Sequence, residues 1–507
     1  MNVDVRILDT SLRDGSQSLW ASGIRYGMMQ EVADDLDQVG FEYIEVPANP
    51  IFFKKMVRDL KENPWDTMRM LASKFTRTPT ACMGGIVRNL NTFGVPTPPV
   101  LGELFTRRMA EIGVLNRAQV MCNTLDQIDR ELPGDVPRLH EMGYDVAIAI
   151  SYTISPRHTD EYYAEKTRLA AAFKPERLYL KDQGGLLTPD RLRTLLPIIV
   201  REAGDVPVEI HSHCTTGLAP IVYLEALKLG VSTLHCGIPP LANGSAQPSV
   251  LEIVKNARLE GHNVSVDDER LRAVSERLYT FADIEGMPIG RPSAYDADQY
   301  NHQIPGGVIS NLRFQLEGLG LQDRLDEVLQ ECIEIRRELG YPIMITPYSQ
   351  YVATQAAVHV ATGARYETVI DPIIRIAQGA FGEDSGYTWM DPNLKDRILS
   401  LPRAAELAEL HERSTSEMTL KEARVAYGGL HLSDEELLLR AILQNEHDVE
   451  QMHAAGPPKR YATSSSPLAD LIRRLESSSS VRYIQVRSGD DTLVLQRSAS
   501  GANAIDR

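Results

Sequence analysis

Two histidines separated by one residue are the first feature of this chain that indicates chemistry. The segment EIHSHC places His211 and His213 at positions i and i+2, and in an extended strand both imidazoles then project from the same face. Such a pair can bind one divalent ion, because imidazole nitrogen is a common metal ligand. Paired histidines also occur by chance, so the motif alone leaves both interpretations open.

An aspartate and a lysine are further candidates for the same site. Asp14 follows the first apolar run, and Lys181 ends the run RLYLK. A carboxylate oxygen would complete a metal site, whereas the alternative is that Asp14 caps the following helix. A lysine that has added CO₂ becomes an anionic carbamate, and burial near cations favours the neutral amine that this step needs. The alternative for Lys181 is a salt bridge.

The apolar runs of the chain indicate the framework that must position these residues. Short runs alternate with segments of helical periodicity, which is typical of βα units around a parallel sheet. Eight strands over roughly 250 residues make a (β/α)₈ barrel, whose sites lie at the C-terminal ends of the strands. The predicted strands are VRIL (5–8), YIEV (43–46), TACMG (80–84), AQVMC (118–122), VAIAI (146–150), RLYLK (177–181), VEIHSH (208–213) and TLHCG (233–237).

The remainder of the chain changes character, so the sequence predicts an α/β protein with several parts. Long helical patterns follow the barrel, including one over 312–340 and one over 351–363, and a polar stretch then precedes a predicted helix LADLIRRLESS and a hairpin of VRYIQVR and TLVLQR. The predicted parts are a TIM barrel (1–290), a helical domain (291–455), a linker (456–466) and a small α+β tail (467–507).

Composition restricts the class of protein. A chain of 507 residues is too long for one core, and a formal net charge of −16 argues against nucleic-acid binding, which needs clustered basic residues. We find neither a signal peptide nor an apolar stretch long enough to span a membrane, and therefore expect a cytoplasmic protein. The five cysteines form no CxxC pair, which favours free, mostly buried thiols.

Seven segments, in this order, resemble the carboxyltransferase subunits of biotin-dependent enzymes: transcarboxylase, oxaloacetate decarboxylase and pyruvate carboxylase. The resemblance covers about residues 5–395 and implies a metal-binding barrel followed by a helical funnel domain. The segments are LRDGSQS (12–18), ENPWDTMR (62–69), SPRHTDEYY (155–163), LKDQGGLLTP (180–189), IHSHCTTG (210–217), GSAQPS (244–249) and PGGVISNL (305–312).

The resemblance also implies a metal and its ligands. Asp14, a carboxylated Lys181, His211 and His213 match the family's ligands for zinc, cobalt or manganese. The ion would polarise a small 2-oxo acid such as pyruvate or oxaloacetate and stabilise its enolate. CO₂ would then pass between that enolate and carboxybiotin.

Four other residues match or replace family residues near the substrate. Ser245 stands where the family has a threonine that shuttles a proton, and a hydroxyl group is kept. Gln17 matches a substrate-contacting glutamine, and Tyr152 matches the tyrosine of a YT pair near the pocket. We name Arg88 as a further candidate for substrate binding, although it is displaced from the place of the family's arginine.

The chain departs from the family pattern where substrate carboxylates are held. The arginine after strand three falls at about Ile86, and the arginine after strand four falls at about Val120. An arginine fork is hard to replace at a carboxylate site. Asn123 replaces the final acid of that segment, and Cys214 replaces the aspartate after the HxH pair, which removes a hydrogen-bond acceptor near the metal.

The partners follow from the same resemblance. The chain contains no MKM-like biotinylation segment, so we expect biotin on a separate carrier protein, a biotin carboxylase subunit as a further partner, and a homo-oligomer. The tail resembles the N-terminal segment of acetyl-CoA carboxylase carrier proteins and is a candidate docking element, or else a small solvated unit without a partner.

Two other functions remain open from the sequence. The opening DTSLRDGSQ also resembles isopropylmalate synthases and hydroxy-oxovalerate aldolases, so a metal-dependent aldolase or acyl-transfer synthase is one alternative. The other is a non-catalytic scaffold subunit, which the altered arginines and Cys214 suggest.

Overall fold

The first eight strands close into a parallel barrel. Strand β1 pairs with β8 on one side and with β2 on the other, which joins the two ends of the sheet. The strands are β1 (Asp4–Asp9), β2 (Tyr43–Glu45), β3 (Thr80–Met83), β4 (Arg117–Cys122), β5 (Asp145–Ser151), β6 (Arg177–Asp182), β7 (Val208–Ser212) and β8 (Thr233–Cys236). All eight predicted strands are confirmed. A two-residue strand that the sequence analysis missed, β9 (Asn263–Val264), pairs with β1 outside the barrel.

The computed structural model describes residues 2–91, 96–318, 320–382, 387–415, 418–461, 483–488, 491–497 and 503–506. By its internal contacts the chain divides into two units, Met1–Arg460 and Tyr461–Arg507. The barrel and the following helices both belong to the first unit. None of the helices in these ranges is long and apolar enough to cross a membrane.

Helices surround the barrel because their apolar faces pack on the sheet. Polar side chains cap several of these helices at their N-termini. Asn63, Thr159 and Thr188 each accept a backbone N–H at a helix start, as N-cap residues do. Two short π-helical segments, Ser11–Gly15 and Met56–Leu60, adjoin α1 and α3. The helices are α1 (Ser16–Leu19), α2 (Tyr26–Leu36), α3 (Pro50–Lys55), α4 (Pro64–Lys74), α5 (Pro99–Ile112), α6 (Leu125–Glu141), α7 (Asp160–Ala171), α8 (Pro189–Ala203), α9 (Ala219–Lys228), α10 (Val250–Leu259) and α11 (Asp268–Glu285).

The second part of this unit is helical, as predicted, but the expected single helix over 312–340 is wrong. Two helices occupy that stretch, separated by Gly320 at φ +68° and a 3₁₀ turn at Gln322–Arg324, because a left-handed glycine ends a helix. The helices are α12 (Gln299–His302), α13 (Gly306–Gly318), α14 (Leu325–Glu338), α15 (Tyr348–Thr362), α16 (Asp371–Ala377), α17 (Pro392–Leu399), α18 (Pro402–Thr415), α19 (Leu420–Ala426), α20 (Asp434–Leu443) and α21 (Glu446–Ala454); a further 3₁₀ turn is Tyr387–Trp389.

The helical part has its own apolar core and also contacts the barrel. Cys332, Ile335 and Val352 are among the fully buried members of that core. The buried guanidinium of Arg336, on α14, donates to the Thr153 hydroxyl at 3.1 Å and to the Ile154 carbonyl at 2.8 Å, just after β5. These bonds hold the helices over one end of the barrel.

The C-terminal unit contains a three-stranded antiparallel sheet. Strands β10 (Tyr483–Ser488) and β11 (Asp491–Arg497) form the predicted hairpin, and β12 (Asn503–Asp506) adds an edge that the sequence analysis did not predict. The predicted helix LADLIRRLESS lies outside the described residues. All five cysteines, which belong to the first unit, are free and buried, as expected.

An aromatic cluster joins three of the outer helices, and its removal gives a test of the packing. The Phe53 ring meets Trp65 at 4.8 Å and Phe105 at 5.0 Å, both edge to face. We predict that Phe53→Ala lowers the free energy of unfolding by about 3–5 kcal/mol in urea denaturation, because it leaves a cavity. Leu259→Ala, at a side chain that is 74% exposed, should change it by less than about 0.5 kcal/mol. Equal effects would contradict this packing.

Candidate metal centre

Barrel closure brings a carboxylate and two imidazoles together at the C-terminal end of the strands. Asp14 lies in the π-helical segment after β1, His211 lies in β7, and His213 directly follows β7. The Nε2 atom of His211 is 3.5 Å from Oδ2 of Asp14, and that of His213 is 3.7 Å from Oδ1. The two Nε2 atoms are 3.2 Å apart. One candidate ligand atom from each residue lies within 4.8 Å of the others, so the donor set fits one divalent ion with bonds of about 2.0–2.2 Å.

Lys181 adjoins this cluster from the neighbouring strand. It pairs in register with His211, and its Nζ lies 3.9 Å from Oδ2 of Asp14. Burial, opposed by the negative charge of Asp14, lowers the pKa of Lys181 to about 8. Because more of the amine is then neutral near pH 7 than for an exposed lysine, the site suits carbamate formation.

The charge of the aspartate is fixed by a neighbouring guanidinium. Arg13 donates to both oxygens of Glu45, at 2.9 and 2.7 Å, and its Nη2 lies 2.9 Å from Oδ2 of Asp14. Burial opposes ionisation, but Arg13, His213 and Lys181 outweigh it and hold the pKa of Asp14 well below its usual value. Asp14 is therefore a carboxylate, the form that binds metal.

Gln247 contacts both imidazoles, and the sequence analysis did not single it out. Its amide nitrogen lies 2.9 Å from Nε2 of His213 and 3.2 Å from Nε2 of His211, while its oxygen accepts from the Thr10 hydroxyl at 2.8 Å. The residue is fully buried in the loop after β8. Its place in GSAQPS, two residues after Ser245, was the available signal.

A cavity of about 470 Å³ opens above the cluster. Asp14, Lys181 and His213 line it, together with residues of both the barrel and the helical part. Its other polar lining residues include Gln17, Ser18, Asn123, Gln183, Ser245 and Gln350, and its apolar ones include Ile51, Met83, Met121, Val308 and Ile345.

Two of the sequence candidates meet in this cavity. The Ser245 hydroxyl donates to the Ser18 carbonyl at 2.9 Å. The backbone carbonyl of Ser245 lies 2.6 Å from Nδ1 of His213. The side-chain oxygen of Gln17 is buried and has no hydrogen-bond partner among the described residues. A buried amide oxygen without a partner is costly, so Gln17 is suited to accept a hydrogen bond from a bound molecule.

Neither Arg88 nor Tyr152 is among the residues that line this cavity, so their roles in substrate binding stay predictions that the geometry does not support. Arg88 is turned toward helix α6, where it donates to Asp135 at 2.6 Å, and its side chain is 49% exposed. The ring of Tyr152 is buried against Tyr163 at 5.7 Å, and its hydroxyl is hydrogen-bonded to Arg191. Each side chain satisfies its polar group with a neighbour outside the cavity.

Comparison with known proteins identifies the family. Residues 300–459 match the conserved carboxylase domain. The chain is 32% identical over 400 residues to a pyruvate carboxylase subunit of Methanocaldococcus jannaschii, and the match covers 78% of this chain and 68% of the relative. The chain belongs to the biotin-dependent carboxyltransferases.

Two further likenesses agree with this. The 2-oxoglutarate carboxylase large subunit of Hydrogenobacter thermophilus is 28% identical over 452 residues, 86% of this chain and 67% of the relative. The carboxyl transferase domain of Rhizobium etli pyruvate carboxylase, solved with oxamate and biotin, superposes with a TM-score of 0.79 at 20% identity, over 99% of this chain and 86% of that one, which shows the fold. Family membership favours a carboxyltransferase over the aldolase and synthase alternative.

In this carboxyltransferase, His213 has a hydrogen-bond acceptor although Cys214 stands where the family has aspartate. Cys214 offers only a distant contact, with its sulfur 3.9 Å from the Asn243 side-chain oxygen. The Nδ1 atom of His213 instead meets the Ser245 carbonyl, at 2.6 Å. A backbone acceptor therefore orients this imidazole without help from residue 214.

Metal analysis tests the centre directly. We predict that the dialysed wild-type chain retains a stoichiometric divalent ion by plasma mass spectrometry, and that His213→Ala loses it. Removal of a residue that only hydrogen-bonds a ligand typically lowers metal affinity by about 10–100-fold. The loss of metal affinity in His213→Ala should be larger, because this substitution removes a ligand itself. The exposed His447 provides the control, since His447→Ala should bind as the wild type does. A wild-type chain that binds no ion would support the scaffold interpretation instead.

Proposed function

We propose that this chain moves CO₂ between biotin, carried on a separate protein, and a small 2-oxo acid at the centre formed by Asp14, Lys181, His211 and His213. One observation carries the proposal: a carboxylate, two imidazoles and a buried lysine converge at the floor of a cavity. Asp14, His211 and His213 would hold the ion, and a carbamate on Lys181 would add an anionic oxygen donor. The bound metal would supply Lewis-acid polarisation of the acceptor carbonyl.

The residues around this centre have complementary tasks. Arg13 keeps Asp14 ionised, and the Ser245 carbonyl keeps the His213 ring in place. The Ser245 hydroxyl lines the cavity and donates to a backbone carbonyl, and it would hold and move the proton exchanged between the acceptor carbon and the biotin nitrogen. Carboxybiotin would supply the carboxyl group in one direction, and biotin would accept it in the other.

The acceptor is assigned as a 2-oxo acid because the two relatives described above are named for pyruvate and for 2-oxoglutarate. Among the lining residues of the described cavity, the only arginine is Arg13, and it is already paired with Glu45 and Asp14. We infer that neutral amides, such as those of Gln17 and Asn123, hold the acceptor's carboxylate in place of an arginine fork. A neutral amide distinguishes a carboxylate from an uncharged group less strongly than a guanidinium does.

The assembly is proposed on similar grounds. The matched relative is named as one subunit of its enzyme, and the chain spans about two thirds of its length, so a biotin carboxylase subunit and a carrier protein are expected partners. Zinc, cobalt or manganese as the metal, a homo-oligomer, a docking role of the tail and a cytoplasmic location stay predictions.

Biotin dependence is the primary test of this function. The purified chain, loaded with metal, should decarboxylate oxaloacetate only when free biotin or a biotinylated carrier is supplied. Ser245→Ala should reduce the rate by about 10²–10⁴-fold, because it removes the proton-transfer group, while Ser245→Thr should keep most of it. Ser400→Ala, at an exposed helix end, is the control. Equal rates with and without biotin would contradict the proposal, as would a fully active Ser245→Ala.

Carboxylation of Lys181 has a spectroscopic test. In ¹³C-bicarbonate the wild-type chain should show a carbamate carbonyl resonance by ¹³C NMR, and Lys181→Arg should lack it, because a guanidinium does not form the carbamate under these conditions. Lys228→Arg is the matched control, since the Lys228 side chain is 54% exposed. Retention of the resonance in Lys181→Arg would place the modification elsewhere.

A further inference from the structure

His211 is the first of three buried, hydrogen-bonded side chains that extend in a row into the barrel. Nδ1 of His211 lies 3.1 Å from Nδ1 of His235, on β8. Nε2 of His235 lies 2.9 Å from Oε2 of Glu209, which is on β7 two residues before His211. All three side chains are at most 1% exposed. These hydrogen bonds are therefore shielded from bulk water.

The last member of this row is a carboxylate held by arginine. The two terminal nitrogens of Arg117, on β4, donate to the two oxygens of Glu209 at 2.9 and 2.5 Å. Nε of Arg177 lies 3.4 Å from Oε1. A carboxylate bound in this way only accepts hydrogen bonds. The proton between Glu209 and His235 must therefore belong to the imidazole, on Nε2.

The direction of the next bond follows. When His235 is neutral, its proton on Nε2 leaves a lone pair on Nδ1, and His235 accepts a hydrogen bond there. His211 must then donate from its own Nδ1, which leaves its Nε2 without a proton and facing Asp14. The Gln247 amide nitrogen, 3.2 Å from the same Nε2, is a donor and agrees with this assignment.

We propose that Glu209 and His235 are positioning residues that hold His211 in the tautomer whose Nε2 lone pair faces the metal centre. This inference rests on the metal site proposed above. The opposite tautomer would direct an N–H at the ion and exclude coordination.

We call the hydrogen-bonded row Glu209–His235–His211 the relay. Neighbouring aromatic rings fix its geometry. Tyr179 stacks on His235 at 5.5 Å with an interplanar angle of 29°, and the rings of His235 and His211 are perpendicular, at 89°. His213 needs no such relay, because the Ser245 carbonyl accepts from its Nδ1. The two imidazole ligands are thus oriented by different means.

Glu209→Gln tests the proton order without changing the size of the side chain. The amide oxygen should stay with Arg117, and the amide NH₂ should then donate to Nε2 of His235. His235 would shift its proton to Nδ1, and His211 would follow by moving its own to Nε2. We expect affinity for Co²⁺, added alone to the chelator-treated chain and followed by visible absorption, to fall about 10–100-fold.

Two substitutions of His235 separate the relay from simple packing. His235→Leu removes both hydrogen bonds and should weaken Co²⁺ binding to a similar extent, whereas His235→Gln can still donate to Glu209 and accept from His211 and should recover most of the affinity. The matched control is Glu331→Gln, at a histidine–glutamate pair of 2.7 Å with His359 in the helical part, and it should bind as the wild type does. If Glu209→Gln does not fold, the two His235 variants decide.

A second readout does not require metal. In the ¹⁵N-histidine-labelled, chelator-treated chain, long-range ¹H–¹⁵N correlation should show His211, assigned by its loss in His211→Ala, protonated at Nδ1. Protonation at Nε2 would overturn the relay, as would wild-type Co²⁺ affinity in both Glu209→Gln and His235→Leu. A wild-type chain that binds no Co²⁺ but shows Nδ1 protonation would contradict the metal centre and still support the relay.

Discussion

Closure of the sheet is the constraint on which the candidate site depends. Strand β1 hydrogen-bonds to both β8 and β2, and only this joins Asp14 to residues that lie about two hundred positions later in the chain. The pairing register between β6 and β7 then places Lys181 directly opposite His211. The four candidate groups lie in β6 and β7 or directly after β1 and β7, and they share one small volume because the hydrogen bonds of the barrel fix the position of each strand end.

Closure also buries charge, and the barrel interior balances it in two layers. Near the cavity, Arg13 lies between Glu45 and Asp14; deeper, Arg117 pairs with Glu209. Burial alone would raise the pKa of a carboxyl group, yet Arg117 and the hydrogen bond from His235 outweigh it and lower the pKa of Glu209 to about 2. Buried ion pairs of this kind contribute little net stability, so their value here is the fixed charge and orientation that they give to nearby ligands.

The helical part contributes to the site as well as to the fold. Val308 on α13, and Ile345 and Gln350 before and in α15, line the cavity together with the barrel residues. Met83 and Met121 line it from the ends of β3 and β4, the region where the family pattern places arginines. The cavity wall beside β3 and β4 is therefore less cationic than the family pattern implies, while the candidate ligands at the floor match that pattern.

Local sequence determined the strands and their number and indicated Asp14, His211 and His213, whereas the ligand role of a carboxylated Lys181 came from the family resemblance. A period of two fixed His211 and His213 on one face, and the eight apolar runs fixed the barrel, because these properties depend on neighbours along the chain. Only the tertiary structure decided that Arg88 turns to Asp135 and Tyr152 to Tyr163, away from the cavity. It also decided that Gln247, His235 and Glu209 contact or continue from the histidine pair. Those contacts join residues on different strands and loops, and a side chain's partner across a barrel depends on register and closure, which no short segment encodes.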